Sequence, residues 1–523
     1  MKKTLEQRWQ LPPIWLRILI ISLLILGVFF RFASLDGKIY WHDETLTSLR
    51  ISGYHSKELV QKVFNNQIYS VEELLKYQTV NATERGVGYT VKALAIDSQY
   101  HPPLYYVAAH FWADTFGSSI AAIRSLSAVL SLLVFPGIYW LCLELFSSSL
   151  TGWIGVALVS VSPFHIHYAQ EARQYSLLTA AVFFSGAALL RAIRVKTKLS
   201  WIIYAATVAI GLYTNPLFAL VTVTLGCYIF INDNFRFTKA LINYILASAI
   251  GFLTFVPWLL TIINNISHLQ NISSWMKTRL PLKDFIDRWI ENLNYAFFQP
   301  NFRLPFGSAL VIKIAILLLI GYSLYFICRH TPKRVWLFVW LLTLLPSIIL
   351  VVPDLVNGGM RSTIPRYIIP SYVGIQVATA FLFATKIISI NSKVIHQRLW
   401  RFLLIVLVSL SLLSNVAYLR AGILRKEGYD PTFDMARLIN QSSAPLVVFL
   451  SSEKTTVGDI LTLSHYLDSQ VKLQLRNKLI LPEIPTGFED IFVFKPIETF
   501  KQALQQKYKL KPVYKTSLWQ LEK

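Results

Sequence analysis

Charge is scarce in this 523-residue chain. Only 15% of its residues are charged, against about 25% in ordinary soluble domains, which excludes a soluble globular protein. Acids are the scarcer sign, with 28 Asp and Glu against 50 Lys and Arg, for a formal charge of +22. The basic excess sits between apolar runs and forms no separate basic domain, so it does not point to nucleic acid. In a membrane protein such an excess gathers in cytoplasmic loops beside acidic lipids. Cysteine is nearly absent. Cys142, Cys227 and Cys328 lie in or beside apolar runs, at no metal-like spacing, which excludes a disulfide framework or a zinc site. Internal repeats and low-complexity tracts are missing. So is a small-residue cleavage site after the first apolar run, Trp15 to Phe32, which therefore reads as a retained span.

Apolar residues are abundant, at 54%. A span needs about 20 mainly apolar residues, and candidates occur at 15–32, 121–146, 149–165, 175–193, 200–213, 216–232, 239–263, 307–328, 335–352, 367–387 and 400–418. Lys2, Lys3 and Arg8, together with the basic segments Arg191–Lys198, Arg236–Lys239, Arg329–Arg334 and Lys386–Arg401, are expected on the cytoplasmic side. These assignments agree only if Pro102–Gly117, which carries His110 and Asp114, does not cross. It reads as an amphipathic helix at the interface. The expected architecture is an all-α bundle of about eleven spans, with the N-terminus inside and the C-terminus outside. Residues 1–418 are expected to form the membrane domain, in which 33–120 is a first outer loop with interfacial helices. Residues 419–523 are expected to form a small outer α/β domain with strands at Pro445–Leu450, Asp490–Phe494 and Val513–Leu521 and helices at Thr456–Leu467 and Glu498–Tyr508.

The distinctive polar residues all fall on the expected outer side. Asp43 and Glu44 follow the first span, and Asp97 precedes His101-Pro-Pro-Leu-Tyr-Tyr, where proline opens a helix. Arg124 starts the second span, His165, His167 and Gln170-Glu171-Ala-Arg173-Gln-Tyr175 occupy an outer turn, and Arg361, Arg366 and Tyr367 stand at the mouth of the tenth. Each has a plain reading: a solvated acidic pair, snorkelling arginines, or an aromatic belt of Tyr105, Tyr106 and Trp112. Two histidines only two apart diverge on a helix, which disfavours a metal pair. Lys313, the one basic residue well inside a run, either snorkels or faces a lipid phosphate. Together the cluster supports more. Transfer from a lipid phosphate needs a base for the acceptor, cations for the departing phosphate and an apolar groove for the tail. Arginine suits the phosphate because its planar fork makes paired hydrogen bonds. The alternative is a transporter or flippase of lipid-linked saccharides, but such proteins place ionisable groups near the midplane. Here the polar residues sit at span ends.

The order Asp43-Glu44, His101-Pro-Pro-Leu-Tyr-Tyr, Arg124-Ser-Leu-Ser-Ala, Ser162-Pro-Phe and Tyr168-Ala-Gln-Glu-Ala-Arg-Gln-Tyr175 resembles glycosyltransferase family 39. That group includes the protein O-mannosyltransferases and is related to the aminoarabinose transferases. The likeness covers residues 15–230, with an echo at Arg366-Tyr367-Ile-Ile-Pro370. It implies a GT-C fold, a polyprenyl-phosphate sugar donor used on the outer face of the plasma membrane, and inversion at the sugar. Asp43 matches the catalytic acid position and Glu44 is its neighbour. His101, Arg124, Glu171, Arg173, Tyr175, Arg366 and Tyr367 are the implied substrate-binding residues. Some relatives bind a divalent metal at the acidic loop, where His42, Asp43, Glu44, Asp97 and His101 are the available ligands. The loop 264–306 and the tail depart from the protein mannosyltransferases, so the acceptor stays open among protein, lipid and glycan.

Overall fold

The computed structural model of the chain describes residues 12–266, 274–300, 307–388, 394–420, 424–425, 428–429, 431–450, 454–477 and 487–522. Lys2, Lys3, Arg8 and part of the basic segment 386–401 lie outside the described residues. The chain divides into two compact units. One comprises residues 1–33, 99–105 and 124–421, and the other 34–98, 106–123 and 422–523.

Each of the expected apolar runs falls on helix. Among the described residues, seven helices are long and apolar enough to cross a membrane: Ile14–Phe32, Ile120–Phe146, Tyr175–Val195, Lys239–Ile263, Ser308–His330, Lys333–Asn357 and Val394–Arg420. Ser149–Val161 and Pro163–Ala169 make a further pair bent by 58°, broken where Pro163 removes a backbone donor and starts a new helix. Lys198–Thr214 and Phe218–Asn232 are shorter apolar helices. The helices Ser149–Val161 and Ile369–Ile387 are buried on almost every side, as helices apolar all round must be. Lys239–Ile263 exposes Ile242, Leu246, Ile250 and Leu253, a face suited to lipid.

Several expectations change in this unit. Tyr105 is fully buried and shares a 2.7 Å hydrogen bond with Ser127, so it belongs to the interior and not to an aromatic belt. Arg124 is buried and does not snorkel. Lys313 lies 3.2 Å from Glu291 on the amphipathic helix Leu282–Tyr295, so its charge is met by protein. His165 bonds Gln376 at 2.8 Å and His167 bonds Tyr295 at 2.7 Å. The two imidazoles are structural and serve different helices.

The second unit is built on one six-stranded sheet: β1 (Asn65–Ser70), β2 (Pro445–Leu450), β3 (Lys472–Arg476), β4 (Asp490–Phe494), β5 (Lys509–Tyr514) and β6 (Leu518–Glu522). Their spatial order is β1-β3-β2-β4-β6-β5. The central β3, β2 and β4 run parallel, and β1, β6 and β5 add antiparallel edges. The sequence reading set the tail apart from loop 33–120, yet the loop supplies the edge strand β1, with Ile68 opposite Gln474 and Tyr69 opposite Leu473. Loop residues Leu46, Leu49, Leu59 and Phe64 also share one core with Val447, Phe449 and Leu461. The expected strand 513–521 is instead the β5–β6 hairpin, turned at Lys515 with φ +47°. Helix Pro103–Phe116 forms as the His-Pro-Pro motif implies, but Tyr106 and His110 are buried, which an interfacial helix would not require. His110 Nδ1 lies 2.8 Å from the Ile51 carbonyl oxygen.

Candidate functional site

The membrane unit gathers most of the predicted polar residues around one turn. Helix Pro163–Ala169 ends at Gln170, whose amide donates to the carbonyl oxygens of Phe30 at 2.6 Å and Ala33 at 2.8 Å. Those oxygens lie in the last turn of the first span and just beyond it, where carbonyls lack helical partners. The turn Gln170–Gln174 is buried throughout and leads into helix Tyr175–Val195. Ser127, on helix Ile120–Ser131, donates to the Arg173 carbonyl oxygen at 3.2 Å and also bonds Tyr105. Trp258 donates to the Gln99 carbonyl oxygen at 2.9 Å, fixing the chain just ahead of His101.

Within this frame Arg173 Nη2 lies 2.7 Å from His101 Nε2, and the Gln174 side-chain amide lies 3.0 Å from His101 Nδ1. A guanidinium has only donors, so His101 Nε2 must accept. A neutral imidazole then carries its proton on Nδ1, which requires the Gln174 amide, whose Nε2 lies at that distance, to be turned so that its oxygen accepts. His101 therefore aims the Arg173 fork. The Arg173 guanidinium stands 5.9 Å from the centre of the Tyr175 ring, and that of Arg366 stands 5.7 Å from the same ring. Two cations thus share one aromatic ring, with Tyr367 beside Arg366 at 5.5 Å. A narrow apolar crevice runs from Arg366 and Tyr367 between Leu178, Val182, Phe218, Val221 and Pro346. The arrangement offers cationic heads above an apolar slot.

Residues 100–260 match the family model described as dolichyl-phosphate-mannose-protein mannosyltransferase. Two solved structures share the fold across nearly the whole length. They are ArnT from Cupriavidus metallidurans bound to undecaprenyl phosphate (TM-score 0.53) and the same protein in the apo state (TM-score 0.51). Each is 12% identical, covering 96% of this chain and 97% of that one. The chain is a multi-pass membrane protein with the fold of ArnT, and its residues 100–260 resemble the mannosyltransferase family. No curated protein sequence matches it.

In this chain His101, Arg173, Tyr175, Arg366 and Tyr367 form one connected group. Glu171 sits in the same buried turn, and Arg124 is buried three residues before Ser127. Asp43 and Glu44 belong to the other unit, in the first turn of helix His42–Ile51. Carboxylates are favoured at a helix N-terminus by its positive dipole end. Glu44 is buried, whereas the Asp43 side chain keeps 22% of its surface, so Asp43 is the more accessible of the pair. His42 Nε2 lies 3.4 Å from Asp43 Oδ1. The metal option fits poorly. Asp97 Oδ2 accepts from both the backbone and hydroxyl of Ser56, at 2.7 and 2.6 Å, and both ring nitrogens of His101 are engaged. Among the described residues no three His, Cys, Asp or Glu side chains converge. Sequence reasoning assigned no role to Gln174 and Ser127 and read Tyr105 only as a belt residue, although all three lie inside the quoted motifs. Their roles depend on which atoms meet across helices.

Proposed function

We propose that the chain transfers a sugar from a polyprenyl-phosphate donor to an acceptor on the extracytoplasmic face of the plasma membrane. The observation that carries this reading is the pairing of Arg366 and Arg173 across the Tyr175 ring at the mouth of an apolar cleft. Guanidiniums in a water-poor setting stabilise a phosphate far better than they would in bulk water, and most strongly as it gains charge on leaving. The cleft has the apolar lining that a prenyl chain requires. The undecaprenyl phosphate bound to ArnT of the same fold supports a lipid phosphate as the ligand class.

In the reaction, the acceptor hydroxyl oxygen attacks the anomeric carbon while the bond from that carbon to the phosphate oxygen breaks. The bonding electrons stay with the polyprenyl phosphate, and one in-line displacement inverts the centre. Asp43 takes the hydroxyl proton. Its role rests on the family resemblance of the acidic pair after the first span and on its accessibility at a helix N-terminus. His101 orients Arg173, and Arg124, Glu171, Tyr175 and Tyr367 complete the substrate-binding set. Saccharide transport, the other reading of such a chain, leaves the sugar–phosphate bond intact. The decisive experiment therefore reconstitutes the purified protein in liposomes containing a lipid extract of the native cell and follows free polyprenyl phosphate by mass spectrometry. Release that depends on Asp43 and Arg366 supports transfer. Intact lipid-linked sugar moving across the bilayer without release overturns it.

A further inference from the structure

The residues on either side of Asp43 are held by residues more than 400 positions away in sequence. Helix His42–Ile51 and helix Lys454–Ser464 meet at Gly458, where a Cβ would stand 2.8 Å from His42 Cβ and 3.3 Å from the His42 carbonyl oxygen. Both atoms are fixed to the backbone, so a side chain at 458 displaces the acidic turn. A glycine inside a helix costs helix stability relative to alanine, and the close approach of His42 is its local reason. Thr45 Oγ1 bridges the junction, donating to the His42 carbonyl at 3.0 Å and lying 3.3 Å from the Gly458 carbonyl oxygen. Ahead of the helix, the Tyr40 backbone N–H donates to the Tyr466 hydroxyl at 2.6 Å. The Tyr40 ring meets His465 edge-on at 5.1 Å, and His465 Nε2 lies 3.0 Å from Gln78 Oε1.

We infer that the C-terminal tail is the positioning element for the acidic turn, with Gly458 and Tyr466 as positioning residues that set where the Asp43 carboxylate stands. Position 42 is pinned by Gly458, position 45 bridges to it, and position 40 is pinned by Tyr466, so Asp43 is bracketed on both sides. The inference rests on the reading of Asp43 as base. It gives the tail a part in turnover that its lack of catalytic motifs conceals.

The test uses the full-length protein in the same liposomes, with polyprenyl phosphate release as the readout, and compares Gly458→Ala, Tyr466→Phe and Asp43→Asn. Gly458→Ala and Tyr466→Phe are expected to lower kcat by about 10- to 100-fold, the scale of small misplacements of a reacting group. KM for the lipid donor and the thermal unfolding midpoint should stay at wild-type values. Amide hydrogen exchange across residues 42–51 should quicken in both variants while β2–β4 keep their protection. Adding His42→Gly, which removes the clashing Cβ, should restore kcat to Gly458→Ala. Wild-type kcat in both variants, with Asp43→Asn inactive, overturns the positioning role and leaves the base intact. Full activity of Asp43→Asn overturns the base itself, whatever the tail variants do.

Discussion

Arg31 donates to the carbonyl oxygen of Ser160 at 2.6 Å, from a side chain with no exposed surface. The same guanidinium reaches the Val159 carbonyl at 3.1 Å, the Gly27 carbonyl at 2.8 Å and Ser131 Oγ at 3.0 Å. It therefore satisfies carbonyls in the last turn of helix Ser149–Val161, just before the 58° break that aims the site turn. Gly27 allows the contact, because a Cβ there would collide with the Ser160 carbonyl. Arg31→Ala strands several buried acceptors at about 1–3 kcal/mol each. It should abolish a stable detergent-solubilised fold, as read by thermal unfolding. Arg31→Lys should be intermediate.

Arg366→Ala separates stability from chemistry. The unfolding midpoint should stay near wild type while kcat falls about 100- to 1,000-fold, the usual effect of removing one preorganised charge donor. Arg366→Lys should recover little, because an ammonium lacks the planar fork. A near-normal kcat in Arg366→Ala would remove the phosphate assignment.

His101 tests the aiming of Arg173. His101→Phe takes away the acceptor at Nε2 and should lower kcat roughly tenfold, the value of one hydrogen bond to a charged group. His101→Gln, which still offers an oxygen acceptor, should lie between the two. Steady-state kinetics on the three proteins decide it.

Glu58 gives the second unit an acid-sensitive clasp. Burial pushes its carboxyl up, but hydrogen bonds from Arg85 and Lys62 outweigh that and hold it below its ordinary value. A depressed folded value means the stabilisation is complete above the unfolded glutamate range and is lost as pH falls through the folded value. Glu58→Gln should therefore lower the unfolding midpoint at neutral and alkaline pH, where the stabilisation is complete, and converge with wild type at acid pH, in thermal melts across pH.

The tail should not fold alone. A fragment of residues 422–523 lacks β1 and the loop's share of the core, including Phe64, whose ring lies 6.1 Å from Phe449. Circular dichroism of that fragment should show no cooperative melt. Co-expression with residues 34–123 should restore one.

Much of the fold was legible. The apolar runs gave the spans because burial in lipid demands continuous hydrophobicity. Strands β2 and β4 were readable because parallel central strands are apolar on both faces. Strand β1 was not, since an exposed edge of sequence Asn-Asn-Gln-Ile-Tyr-Ser has no alternation to detect. Arg31 was hidden as one charge at the end of an apolar run, with nothing local to announce its acceptors about 130 residues away.

The sequence by itself determined the membrane class, the order of the motifs and the residue types gathered in the site, because composition and hydrophobic period act locally along the chain. Only the tertiary structure decided that His101 holds Arg173, that Arg366 shares Tyr175 with it, and that the tail grips the turn carrying Asp43. Those pairings depend on hydrogen-bond direction and close backbone approach between distant segments, and no local pattern encodes them.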